Sequence, residues 1–353
     1  MNRYTEALVR EMELVAQDLK PRTIFFGGGT PSILNLRQWE TILRTMERLN
    51  LLGAEEFTVE CNPATVSLDK AKLFRDFGVN RISMGVQSLD ENLLERLGRV
   101  HSREQVFKSF DILRQAGFEN LNVDLMFAIP TQTMEIWDKT LQEAIALQSE
   151  HLSTYEVIYE DDTPLFHQLQ AGEFSVDEDL ACEMYNQLVK RTTAAGFQQY
   201  EIANFAGGSK TFPAKDSIPY FACKHNVNYW RGGSFYGLGP AATGYVRGVR
   251  AKNWANTQLY CEQLERGQRA IESSETLTPL KRAGETAAFG LRMNAGWPFE
   301  EFRKTTSFDL REEWGSEIEE LVQRNWGTRD ENHFQLTSEG LRFADSAAEL
   351  FLR

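Results

Sequence analysis

Apolar residues in the first half of the chain follow two alternating patterns. Met1 is followed by Tyr4, Leu8, Met12, Leu14 and Val15 at close to helical spacing, which predicts an amphipathic helix over 3–18. The β-branched and aromatic run at 23–26 then predicts a strand. The alternation continues, with helix 36–49 before strand 57–61 and a helix from Ser67 before strand 81–86. Helices 90–97 and 103–116 precede strand 121–127, and helix 133–147 precedes strand 151–158. A long helix over 177–195 ends at Gly196 and leads to strand 198–202. Short apolar strands alternating with helices predict a parallel sheet of βα units. Six such units suit a full or partial (β/α) barrel better than an open doubly wound sheet. Entry through a helix with no strand before it is unusual for such a fold.

After Phe205 the pattern changes. Residues 206–219 are rich in Gly, Ser, Lys and Pro and read as a loop. Residues 220–254 carry Tyr, Trp, Phe and Gly with little helical period, which predicts short strands and turns. Helical patterning returns from Asn256, and 307–353 reads as helix, hairpin over 325–336 and a helix opening at Ser338, a winged-helix outline. The expected organisation is therefore a partial barrel over 1–205, a loop and β extension over 206–255, and a helical, winged-helix-like region over 256–353.

Composition narrows the function. At 353 residues and 42% hydrophobic content the chain can bury a large core. Its formal charge of −13 repels phosphate backbones and anionic membranes, so nucleic acid is not an expected partner. The winged-helix outline does not change this, because acidic side chains outnumber basic ones across 307–353. Cys61, Cys182, Cys223 and Cys261 lie far apart, which argues against a disulfide scaffold or a metal knuckle of adjacent ligands. Scattered thiols suit a reducing cytosol. With no run apolar enough to span a bilayer and no secretory leader pattern, a cytoplasmic protein is expected.

The candidate chemistry begins in TIFFGGGTPSIL, residues 23–34. Gly27, Gly28 and Gly29 sit where a predicted strand ends, the face on which βα barrels bind ligands. Three missing Cβ atoms permit positive φ and let a small zwitterion touch main-chain groups. The loop is not a Walker A motif, because no G-K-[ST] follows. Nor is it G-x-G-x-x-G, because position 32 is Ser. Other strand ends add polar groups: Glu60 and Asn62 in TVECNP, Gln87 in ISMGVQS, Asp124 in NVDLMFAIP. Each has a plainer reading as a helix cap, a loop contact or a partner for Arg99. Together with the glycines they favour a polar small-molecule pocket.

GGGTPS, VECNP, NRISMGVQS with LERLGRVH, and NVDLMFAIPTQT, in this order and spacing, resemble the radical S-adenosylmethionine (SAM) proteins related to oxygen-independent coproporphyrinogen III oxidase. Downstream, CKHNVNYWRGG followed by YGLGP resembles the HemW-type branch of that family, a group of heme chaperones. The resemblance implies a radical-SAM barrel. It places Gly28 against the methionine part of SAM, with Gly27, Gly29 and Thr30 in the same loop, and Glu60, beside Asn62, holding SAM. Gln87, Arg99 and Asp124 match positions around a second SAM in the decarboxylating oxidase. His225, Asn226, Tyr229 and Trp230 match the element implicated in heme handling. On chemistry alone, a His can ligate heme iron while aromatic rings cover the macrocycle. The alternative is that Tyr229 and Trp230 pack in a core and His225 is an internal hydrogen-bonder.

The resemblance also exposes a gap. Family members hold a [4Fe–4S] cluster with C-x-x-x-C-x-x-C in the loop after the first barrel strand, and this sequence has no such motif. Strand and loop are expected to be absent together, either because the coding start is placed late or because the cluster has been lost. The retained downstream residues, and the edge at 23–26 that a lost strand would expose, favour the first. The chain as written is expected to bind no cluster. Two further departures are Ala128, where the family has Gly, and Thr243, near a position where many relatives carry His. The heme assignment therefore leans on His225. The expected function is a heme chaperone that binds SAM and heme and serves recipient hemoproteins. The alternatives are a coproporphyrinogen III-decarboxylating oxidase and a cluster-less SAM-binding relic.

Overall fold

The computed structural model describes residues 1–161, 163–207 and 218–353, so most of the predicted 206–219 loop lies outside the described residues. Helix α1 (Asn2–Val15) leads to strand β1 (Thr23–Phe26), α2 (Leu36–Arg48) to β2 (Glu56–Cys61), and α3 (Leu68–Asp76) to β3 (Arg81–Gln87). Helices α4 (Glu91–Arg96) and α5 (Arg103–Gln115) lead to β4 (Leu121–Phe127), and α6 (Met134–Ala146) to β5 (His151–Glu156). Helices α7 (Pro164–Gln170) and α8 (Glu178–Ala194) precede β6 (Gln198–Glu201) and β7 (Asn204–Ala206). Local sequence sets several helix starts. Asn35 with Gln38, and Ser102 with Gln105, form reciprocal capping boxes at α2 and α5.

The strands form one seven-stranded sheet in the order β1-β2-β3-β4-β5-β7-β6, curled into a half barrel. Strands β1 to β5 are parallel, as expected. The sixth unit departs from the expectation. Only two residues separate β6 from β7, too few for a crossover, so β7 returns antiparallel to β6 and inserts beside β5, again antiparallel. Strand β1 closes the other side of the sheet as an edge strand.

Alternate strand residues face the helices. Phe57, Val59, Ile82, Met84, Val86, Val123 and Leu125 pack with Trp39, Phe74, Phe110 and Trp137 in the main core. Removing a side chain such as Phe57 from water stabilises by roughly 2–3 kcal/mol. The intervening residues face the concave side and are polar: Glu56, Thr58, Glu60, Arg81, Ser83, Asn122, Asp124, His151 and Ser153.

Helix α9 (Lys224–Trp230) carries the H-N-x-x-Y-W element, where strands and turns are expected from the sequence. Its first residue has no side-chain cap of its own. Glu56 supplies one from β2, accepting the N–H groups of Lys224 and His225 at 2.9 Å each. Strands β8 (Thr243–Val246) and β9 (Val249–Asn253), helix α10 (Thr257–Glu265) and β10 (Ile271–Thr276) follow, and the three strands form an antiparallel sheet. Buried Glu11 of α1 accepts Tyr260 O–H (2.6 Å), Gly239 N–H (2.7 Å) and Asn253 Nδ2–H (2.7 Å), tying this region to the first helix. Helix α11 (Pro279–Gly290) then packs with Trp297, Phe302, Trp314 and Phe334 in a second core. The expected hairpin appears as β12 (Gly327–Arg329) paired with β13 (His333–Leu336), with β11 (Trp297–Pro298) on the other side of β13.

Candidate functional site

The sites predicted from sequence fall at two ends of the concave face. At the strand C-termini, Gly28 and Gly29 adopt φ of +74° and +33°, and the Gly28 N–H bonds to the Glu60 carboxylate. A Cβ on Gly27 would collide with the Phe25 ring and sit 2.9 Å from Glu60 Oε1, so the backbone there is bare because it approaches the carboxylate closely. Burial and neighbouring Asp124 push Glu60 up to about 7. Asp124 is fully buried and is also raised, chiefly by desolvation, although Asn122 Nδ2 (2.7 Å) and Ser83 Oγ donate to it. Burial lowers the Arg99 guanidinium, and Asp124 opposes the shift. Gln87 sits at a bulge with φ of +68°, its amide folded against Gly85. Gly28, Glu60, Asp124 and Arg99 are therefore electrostatically coupled.

Asn62 differs in role. Its side chain accepts from Ala64 N–H and caps the single turn Pro63–Thr65, while its own N–H donates to Ser32 Oγ. Thr30 is exposed at the end of the glycine loop. Ala128 adopts φ of +57°, in the left-handed region that favours glycine. Thr243 begins β8 and is exposed.

At the other end, a groove of about 1720 Å³ runs along β1, from the loop at Gly27–Thr30 to His225, with Leu8 and Tyr236 on its walls. The His225 ring stacks on Phe25 (centroids 4.9 Å, 19°) and meets Tyr229 edge-on (5.0 Å, 63°). Its Nδ1 lies 3.0 Å from Thr23 Oγ1, and Nε2 has no partner among the described residues. Burial pushes the imidazole down to about 4, so it is neutral at neutral pH. Tyr229 continues onto Phe235 (4.2 Å). Trp230 turns away from the groove to Phe289 and lies under the Arg292 guanidinium (5.0 Å), with its buried Nε1 unpaired among the described residues. The Asn226 backbone contacts Cys223, and its side chain does not line the groove.

A buried chain of hydrogen bonds links the two ends. Cys223 N–H donates to Tyr200 Oη (3.0 Å), and Tyr200 Oη lies 2.8 Å from His151 Nε2. His151 Nδ1 lies 2.6 Å from Asn122 Oδ1, an acceptor only, so Nδ1 carries the proton and Nε2 accepts from Tyr200. Asn122 Nδ2 then donates to Asp124. Arg81 lies fully buried among Glu56, Asp124, Tyr200 and Cys223, with Nε unpaired among the described residues. Sequence reasoning missed Thr23, Glu56, Arg81, His151 and Tyr200. The available signal was polar residues at every second position of β2, β3 and β4.

Comparisons with known proteins agree with this geometry. Residues 1–144 match the radical SAM superfamily model and 277–343 the HemN C-terminal domain model. Coproporphyrinogen III oxidase from Escherichia coli, described as a radical SAM enzyme, superposes with a TM-score of 0.81 at 19% identity, covering 99% of this chain and 82% of that one. The half barrel is thus a radical SAM fold. Heme chaperone HemW from Lactococcus lactis is 34% identical over 99% of this chain and 89% of its own length. HemW from Bacillus subtilis is 31% identical over 100% and 92%. A mitochondrial radical S-adenosyl methionine domain-containing protein 1 from Danio rerio is 31% identical over 97% and 78%. The chain belongs to the HemW-type branch of the radical SAM family.

The family implies SAM and a [4Fe–4S] cluster. No group of three or more His, Cys, Asp or Glu among the described residues is arranged to hold a metal ion. Cys61, Cys223 and Cys261 are buried in separate places and Cys182 is exposed. These residues do not fit the cluster. No helix among the described residues is long and apolar enough to cross a membrane.

Proposed function

We propose that this chain is a cytoplasmic heme chaperone that holds heme in the β1 groove, binds SAM at the strand ends, and passes heme to recipient hemoproteins. The supporting observation is a neutral imidazole, His225, on the groove wall beside Phe25, whose Nε2 has no partner among the described residues. Neutral imidazole is the form that ligates iron, and the stacked ring holds its direction fixed. Trp230 is outside the heme contact and anchors α9 against α11.

At the mouth, the ionised Glu60 carboxylate receives the ammonium of SAM, while the main chain at Gly28 and Gly29 faces its carboxylate. Gln87, Arg99 and Asp124 complete the polar wall. Radical chemistry in this family is supplied by the cluster when it is bound, and the residues described here bind and orient.

Hemin titration tests the reading. The wild-type chain is expected to give a Soret shift that His225→Ala loses. An unchanged shift in His225→Ala overturns the assignment, and anaerobic conversion of coproporphyrinogen III to protoporphyrinogen establishes the oxidase alternative.

A further inference from the structure

We propose that Thr23 is the positioning residue for His225, its Oγ1 accepting the Nδ1 proton so that Nε2 alone presents a lone pair to the groove. The inference rests on the heme reading above and deepens it. A neutral imidazole has one protonated and one bare nitrogen, and the hydrogen bond made by one decides what the other can do. Among the described residues His225 Nδ1 has a single partner, Thr23 Oγ1 at 3.0 Å. A hydroxyl can donate or accept, so it suits both tautomers. Once Nε2 engages a metal, only the accepting arrangement remains, and the hydroxyl then fixes the ring and raises ligand basicity.

The surroundings hold the plane of the ring. Phe25, two residues beyond Thr23 on the same face of β1, stacks beneath the imidazole at 4.9 Å. Tyr229, one helical turn onward in α9, closes its edge at 5.0 Å. Glu56 on the neighbouring strand holds the main chain of His225 through its N–H at 2.9 Å. Two adjacent strands therefore fix the backbone, plane and rotation of one histidine. Thr23 is the only one of these groups placed to determine which nitrogen carries the proton.

The test compares hemin binding in the wild-type chain, Thr23→Val, Thr23→Ser and His225→Ala. Thr23→Val keeps the shape and removes the acceptor, and is expected to weaken hemin binding about 10-fold or more, in line with losses of outer-shell partners at metal sites. Thr23→Ser keeps the hydroxyl and is expected to restore wild-type affinity. Wild-type affinity in Thr23→Val, with the Soret shift lost in His225→Ala, overturns the Thr23 inference and leaves the heme reading standing. An unchanged Soret shift in His225→Ala removes both. A second measurement needs no variant at Thr23: ¹⁵N shifts of His225 in the wild-type chain loaded with zinc protoporphyrin. The proton is expected on Nδ1, and a protonated Nε2 overturns the proposal.

Discussion

Glu56 and Glu60 lie on the same face of the same strand, four residues apart, and have opposite environments. Glu56, at the base of the concave face, accepts two main-chain N–H groups of α9, and Cys223 Sγ approaches it at 3.5 Å. Glu60, at the mouth, accepts one N–H from Gly28 and lies near a second buried carboxylate, Asp124. A buried carboxylate short of donors is costly, and its charged form is disfavoured. At the base the carboxylate serves as structure, replacing a helix cap. At the mouth the shortfall is what a cationic ligand group would fill.

The contrast is most sharply tested at Glu56. Glu56→Ala leaves the N–H groups of Lys224 and His225 without their acceptor in a partly buried setting. The expected loss is about 3 kcal/mol, one to three for each orphaned donor, read as a lower urea midpoint, with loss of the hemin Soret shift. An unchanged midpoint would show that α9 is not held from β2.

At the mouth the expected effect is on pH dependence. The folded pKa of Glu60 lies near 7, above the ordinary carboxyl value of 4.5. In the ligand-free protein its contribution to stability is therefore present below about pH 4.5 and is lost as pH rises through about 7. Affinity for a ligand ammonium follows the opposite sign, rising with pH through about 7, with proton release on SAM binding in mildly acid buffer. Calorimetry in buffers of different ionisation enthalpy measures that release. Glu60→Gln is expected to abolish it, and a pH-independent affinity in the wild type would break the link between Glu60 and the ligand.

The smallest effect is expected at Trp230. Its ring packs on Phe289 and Arg292 rather than on the groove, so Trp230→Phe should leave hemin affinity unchanged. A tenfold loss, about 1.4 kcal/mol of binding free energy, would place Trp230 among the heme contacts after all.

Much of the barrel was legible from period and punctuation. Caps such as Asn35 and Ser102 announce their helices, and the β-branched runs announce strands β1 to β5. The glycine loop and the strand-end residues Glu60 and Gln87 were legible because a ligand face needs bare backbone and polar ends, whereas Asp124 lies in the middle of β4. Reading the strands as continuous apolar runs hid their alternation. Glu56, Thr58 and Glu60, or Arg81 and Ser83, mark a sheet with one polar face, which a fully covered parallel sheet does not have. Helix α9 was not legible, because its cap comes from Glu56, distant in sequence.

The sequence by itself determined the succession of elements through β5, the glycine loop and the family, because these follow from neighbouring residues and their spacing. Only the tertiary structure decided what each polar side chain does. Whether a carboxylate caps a helix or awaits a ligand, and which nitrogen of a histidine is free, depend on donors from distant segments. Burial sets the cost of leaving those donors unmatched.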